Sequence, residues 1–361
     1  MKLSSLLSSL TKKRSTKAKD RAPSFRRRFM LEALEDRRVL ATFIVTNTGD
    51  SDLPNSGSLR SAIMAANQSI NIPDTIEFNI PGAGVHTISP LAQLPIISDP
   101  LVINGYTQGK AKRNDNGPGL GDNAIIQIEL DGSNISAPYV LAPFAVGLIV
   151  SAGNSTIQGL AINRFDGFGI WLNTNGGNNI TGNFVGTDPT GSVAKGDMAG
   201  GLYLSFDSAD NIIGGLSDEA RNVVSGADSV GIQIEGSNRT IIEGNFIGTD
   251  ATGTKALSTA TNFRSGVIDL GSNTIGGTSA SARNIISGNN GKGVEVAFSI
   301  NTTVQGNYIG TDVTGKLAVA NVEGYAGFPA VGATSHLQET SSLGTLTSAC
   351  IYTAPLLKVI S

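Results

Sequence analysis

Three aspartates are the first candidates for chemistry. Asp188, Asp250 and Asp312 each close a phrase of the form GN(F/Y)(V/I)GTD, at residues 182–188, 244–250 and 306–312. Each is followed by one variable residue, then Thr and Gly. A loop carboxylate beside a hydroxyl is hard-oxygen chemistry of the kind that holds Ca²⁺. D-x-T-G lacks the second and third acids of a calcium loop, however, and an Asp here equally well closes a turn onto its own backbone. Turn closure is the preferred reading. Local Ca²⁺ is the alternative, and no other cofactor is expected.

A second set recurs at the outward position of a G-I-x-I pattern: Trp171, Tyr203, Gln233 and Glu295, with Asp269 a further member if its strand is bulged. Aromatic rings beside acids on one face suit stacking on sugar rings, so this is a candidate glycan-contact face. Glycoside hydrolysis would need two carboxylates within about 10 Å. Glu235 and Glu243 are isolated in sequence, and Arg164, Arg221 and Arg283 fall in loops, so no catalytic residue is assigned. His86, in VHTIS, reads as a surface or edge residue. Cys350 has no partner cysteine and no recognisable His motif.

The elements that position these residues follow from the spacing. The phrase recurs every 62 residues, and a fixed period of this size marks a repeat architecture. Each unit divides into two coils of three short strands. The asparagines opening the third strand, Asn183, Asn222, Asn245, Asn284 and Asn307, are spaced 39, 23, 39 and 23 residues apart. One amide per coil at a tight turn predicts a ladder of hydrogen bonds along the axis, with Asn taking the left-handed backbone that such a turn needs. Short strands cannot bury their inner faces alone, so the coils must stack. The predicted fold is all-β: a right-handed parallel β-helix over 74–325, with successive Asp residues of the phrase about 10 Å apart along the axis.

Composition fits one elongated body. Of 361 residues, 45 are Gly and 40% are hydrophobic. Residues 1–41 hold 12 Lys/Arg against 4 Asp/Glu, and the rest holds 14 against 25. The acidic body has no basic stripe, which argues against nucleic acid. No run of 18 apolar residues exists, so no transmembrane helix is expected. The basic head cannot bury a core and reads as disordered. Residues 42–73 read as a strand at Thr42–Thr48 and a capping helix at 58–67, with Ser58 as N-cap. The insert from Lys110 to Asn123 reads as a mobile surface loop. After Tyr325 the pattern stops. Residues 326–361 are expected to be a non-repeating tail, either a cap or the end of a truncated or frame-shifted copy.

Three resemblances add to this reading. Residues 30–41, MLEALEDRRVLA, resemble the LEPR-XLL motif, an N-terminal signal of large secreted or surface proteins of planctomycete-type bacteria, with Asp36 where that motif has Pro. SGSLRSAI at 56–63 resembles the core of the CSLREA-type N-terminal segment, without its Cys and Glu. The coils resemble the pectin-lyase-like fold. Together they imply an extracellular or cell-surface protein with a structural or adhesive role, contacting polysaccharide or cell-envelope components. The alternative they imply is a polysaccharide lyase or glycoside hydrolase, with acids such as Asp269 and Glu295 converging in one groove.

Overall fold

Alternating β-branched residues separated by Gly and Asn set both the strands and their corners. The computed structural model describes residues 40–69, 73–135, 144–196, 199–257, 265–299, 301–328, 336–338 and 341–342, all within one compact unit, Val39–Ser361. The readings on residues 1–39 and on Cys350 lie outside them.

The described chain is an all-β parallel β-helix with one short α-helix near its start. Every ladder between its named strands is parallel, in a larger sheet of 15 described strands and a smaller one of nine. In a representative coil, Phe168–Thr174 and Asn179–Thr181 lie in the larger sheet and Phe184–Val185 lies in the smaller. Inward positions stack like on like. Ile76, Ile103, Ile157, Ile180, Ile213, Ile242, Ile275 and Val304 form one continuous column, and each is buried. A fully buried side chain of this size contributes about 1.5–3 kcal/mol, but only when the next coil covers it. Each coil therefore depends on its neighbours.

Several expectations are modified. The first two strands of a coil run together twice, as Val230–Glu243 and Ser265–Gly276, because bends at register shifts replace loops. The left-handed residue at the corner is glycine, with φ of +63° at Gly182, +74° at Gly244 and +65° at Gly306. Asn183, Asn245 and Asn307 follow these glycines, Asn222 and Asn284 follow arginines, and all five are buried. Strands also continue beyond Tyr325: Glu323–Phe328, His336–Gln338 and Ser341–Ser342 add to the preceding coil in parallel register. The pattern thus persists in backbone pairing where the sequence phrase is lost.

At the other end, the helix Leu59–Ala66 is capped by the Ser58 hydroxyl, which accepts from Ser61 N. Its buried residues Leu59, Ala62, Ile63 and Ala66 join the main core. No helix among the described residues is long and apolar enough to cross a membrane.

Candidate functional site

The outward column of the larger sheet is set by strand register. Trp171 pairs with Tyr203, Tyr203 with Gln233, Gln233 with Ile268, and Ile268 with Glu295. Four of the five are the residues expected from the pattern. The fifth is Ile268, because no bulge intervenes there: period-two alternation sends Ile268 out and Asp269 in.

Aromatic residues dominate one end of this face. The Tyr203 ring stacks on Phe168 with centroids 4.9 Å apart and tilts against Trp171 at 5.6 Å. Polar groups fix the edges of this platform. Trp171 Nε1 donates to Ser205 Oγ at 3.1 Å, Tyr203 OH donates to Glu235 Oε2 at 2.6 Å, and Gln233 Nε2 donates to Glu235 Oε1 at 2.8 Å. Burial and the neighbouring Glu235 carboxylate push the Tyr203 phenol well above its ordinary value, so it remains a neutral donor. Further along, Glu295 is paired with Lys292 at 2.6 Å. Glu235 and Glu295 are two rungs and two residues apart, about 12 Å between Cα atoms, and each carboxylate already has a partner.

Asp269 is fully buried. Its Oδ1 accepts from Gly271 N and Asn273 Nδ2, and its Oδ2 contacts Thr302 Oγ1. Burial raises its pKa against these bonds. Thr302 Oγ1 also lies 3.0 Å from Gly271 O and accepts weakly from Asn273 N. Burial disfavours the charged form of a carboxyl whose bonds all run to neutral groups. The ionised form thus costs stability. A raised carboxyl contributes fully below its unfolded value, and that stability is lost as pH rises toward the folded value. Asp269→Asn mimics the neutral acid. It should raise the urea midpoint at pH 8, leave it unchanged at pH 4, and flatten the pH dependence between them; an Asn variant less stable at pH 8 would contradict this assignment.

The three phrase aspartates are spent on their own loops. Both oxygens of Asp250 accept from Thr252 Oγ1 at 2.7 and 2.9 Å, and Oδ1 also accepts from Thr254 N and Lys255 N at 3.2 Å. Asp188 and Asp312 repeat the arrangement. The loops are closer than their strands imply. Ala251 N donates to Gly191 O and Val313 N to Gly253 O, both at 2.8 Å. Together the loops cover Phe184, Phe246 and Tyr308, which face outward from the smaller sheet. No group of three or more His, Cys, Asp or Glu suited to a metal occurs among the described residues.

One ion cluster was not legible in the sequence. Glu129 and Asp131, two residues apart on one strand and both buried, flank Arg164. Arg164 Nη2 lies 2.5 Å from Asp131 Oδ2 and 3.8 Å from Glu129 Oε1, and Nε donates to Asp131 Oδ1 at 2.8 Å. Thr87 Oγ1 and Asn163 Nδ2 donate to the Glu129 oxygens at 2.7 and 3.0 Å. The group has two acids and a base, but every carboxylate oxygen is engaged. The sequence signal is the E-x-D spacing at 129–131, and its basic partner Arg164 lies one coil further on.

The insert Lys110–Asn123 is docked. Asn114 is buried and its Nδ2 donates to Asp218 O at 2.7 Å, while Asp122 N donates to Ala251 O at 2.6 Å. Backbone acceptors on later coils hold it, which composition alone does not reveal.

No protein-family model matches the chain, and no curated protein matches it. Among solved structures it is similar to pectate lyase Pel9A, at 14% identity over 84% of this chain and 79% of that one, with a TM-score of 0.37. It is also similar to the Dettilon tailspike protein gp208, at 14% identity over 83% and 62% of the two chains and a TM-score of 0.33. A third is the A-module of the Azotobacter vinelandii mannuronan C-5 epimerase AlgE4, at 13% identity over 82% and 97% and a TM-score of 0.24. The parallel strand register itself defines the fold.

Proposed function

We propose that this chain is an extracellular or cell-surface β-helix with a structural or adhesive role, which holds polysaccharide against the outer face of its larger sheet. The observation that carries the reading is the half-buried pair Trp171 and Tyr203, backed by buried Phe168 and edged by Ser205, Gln233 and Glu235. Flat rings with hydrogen-bonding edges suit the apolar face and hydroxyl rim of a sugar. The cluster Glu129–Asp131–Arg164 is what favours the alternative, a polysaccharide lyase or glycoside hydrolase. Its saturation and the inward direction of Asp269 weigh against that alternative.

The test is a glycan-array and polysaccharide-degradation screen of the full chain. Binding without release of products is expected. Trp171→Ala or Tyr203→Ala should weaken the bound glycan about tenfold, the order of one lost aromatic contact. Binding unchanged in both variants would remove the face from consideration. Product release abolished by Glu129→Gln would replace the binding reading with the enzymatic one.

A further inference from the structure

A second recurrence is left over once the asparagine ladder is explained. The pattern S-x-x-A-R-N occurs at residues 217–222 and again at 279–284, so an arginine directly precedes a ladder asparagine in both. Each arginine lies on an outward ring of the smaller sheet. The Arg221 guanidinium is 4.7 Å from the Phe246 centroid, and that of Arg283 is 4.1 Å from Tyr308. Such stacking holds a guanidinium flat while leaving its edge free for oxygen acceptors.

The two arginines line one shallow, open cleft with a volume of about 20 Å³, with Ser217, Asp218 and Gly119 on its walls. Arg221 is 94% buried, its relative exposure being 6%. One of its terminal nitrogens donates to Leu120 O at 3.3 Å, but Nε has no hydrogen-bond partner. A buried charged donor left unused is expensive. Arg283 spends Nε on Gly306 O at 3.0 Å, and its terminal nitrogens bond no described residue. Ser217 makes no side-chain bond to the short helix it precedes. Arg221, Arg283 and Ser217 thus line one opening, with Arg221 Nε buried beneath it. Asp218 is the acid on its wall, and Asp122, whose Oδ2 is also buried without a hydrogen-bond partner, is a counter-charge to Arg221 at longer range.

We propose that this cleft binds an oxyanion, the carboxylate or sulfate group of an acidic ligand, between Arg221 and Arg283. Paired N–H donors match the two oxygens of such a group, and Arg is the residue suited to that match. The site is on the smaller sheet and does not depend on sugar binding by the aromatic face.

Calorimetric titration of the full chain with sodium sulfate, sodium acetate and a uronic acid trisaccharide, at low ionic strength, tests it. Saturable binding of at least one probe is expected, weakened by added salt. Sulfate alone would identify a sulfated ligand, and acetate or the trisaccharide a carboxylated one. Arg221→Gln should weaken the binding about tenfold or more, and Asp218→Asn should strengthen it by removing a like charge. Should Arg221→Gln fail to fold, Arg283→Gln, partly exposed and bonded only to one carbonyl, carries the same expectation. Trp171→Ala should leave anion binding intact. No saturable binding of any probe, or binding indifferent to both arginine variants, would overturn the proposal.

Discussion

Asn245→Ala is expected to lower the stability of the chain by about 4 kcal/mol or more, since several buried groups lose partners at about 1–3 kcal/mol each. Asn245 is fully buried at the middle of the ladder. Its Nδ2 donates to Ile213 O at 2.8 Å, Glu243 O at 3.0 Å and Asn284 Oδ1 at 3.0 Å. Its Oδ1 accepts from Asn222 N at 3.3 Å and Asn222 Nδ2 at 2.9 Å. The same bonds link Asn183 to Asn222 and Asn284 to Asn307. Alanine removes both ends of the amide at once and leaves neighbouring coils with orphaned groups and no water to satisfy them. The measurement is urea unfolding followed by circular dichroism. Asn290→Ala, an asparagine outside the ladder, should stay within about 0.5 kcal/mol of the parent. Because coils couple only to neighbours, the loss can also emerge as a separate early transition. Equal midpoints for the two variants would deny the ladder its role.

The corner glycine gives the second large effect. Gly244→Ala should cost about 3 kcal/mol or more, combining left-handed strain of about 1–2 kcal/mol with a backbone collision. At φ +74° an added Cβ would lie 2.5 Å from Gly215 O and 3.0 Å from Ser281 O, both main-chain atoms with little room to move. Gly84→Ala separates the two causes. Its φ is +92°, yet nothing lies within 4 Å of the added carbon, so only the strain of about 1–2 kcal/mol should appear. The difference between their urea midpoints measures the collision. A Gly84→Ala loss as large as that of Gly244→Ala would mean that strain alone governs these corners.

Much of the fold was legible because solenoid stacking is written as period. The 39- and 23-residue steps place one amide per coil, and Ser58 announces its helix. What escaped were features that depend on another coil's backbone. Nothing local in Lys110–Asn123 announces that its acceptors are Asp218 O and Ala251 O. The G-N dipeptide offers two residues for a left-handed turn; glycine takes it because the buried ladder needs the asparagine side chain pointing in. Asp269 misled because an acid looks external, whereas alternation alone places it with Ile234, its partner in the adjacent strand. Of the candidate face, the column was readable from the G-I-x-I pattern. The contact of Phe168 with Tyr203 was not, since it joins positions of different strands.

The two-coil unit also bears on how such a chain changes over generations. Because Gly182 and Gly244 occupy the same corner 62 residues apart, loss of residues 183–244 would join Gly182 directly to Asn245 and restore the same phrase. Gain of a unit would do likewise. Recombination between segments that encode the shared phrase would therefore lengthen or shorten the β-helix in whole steps of two coils, about 10 Å each. Reach becomes a heritable quantity that varies independently of the surfaces it presents.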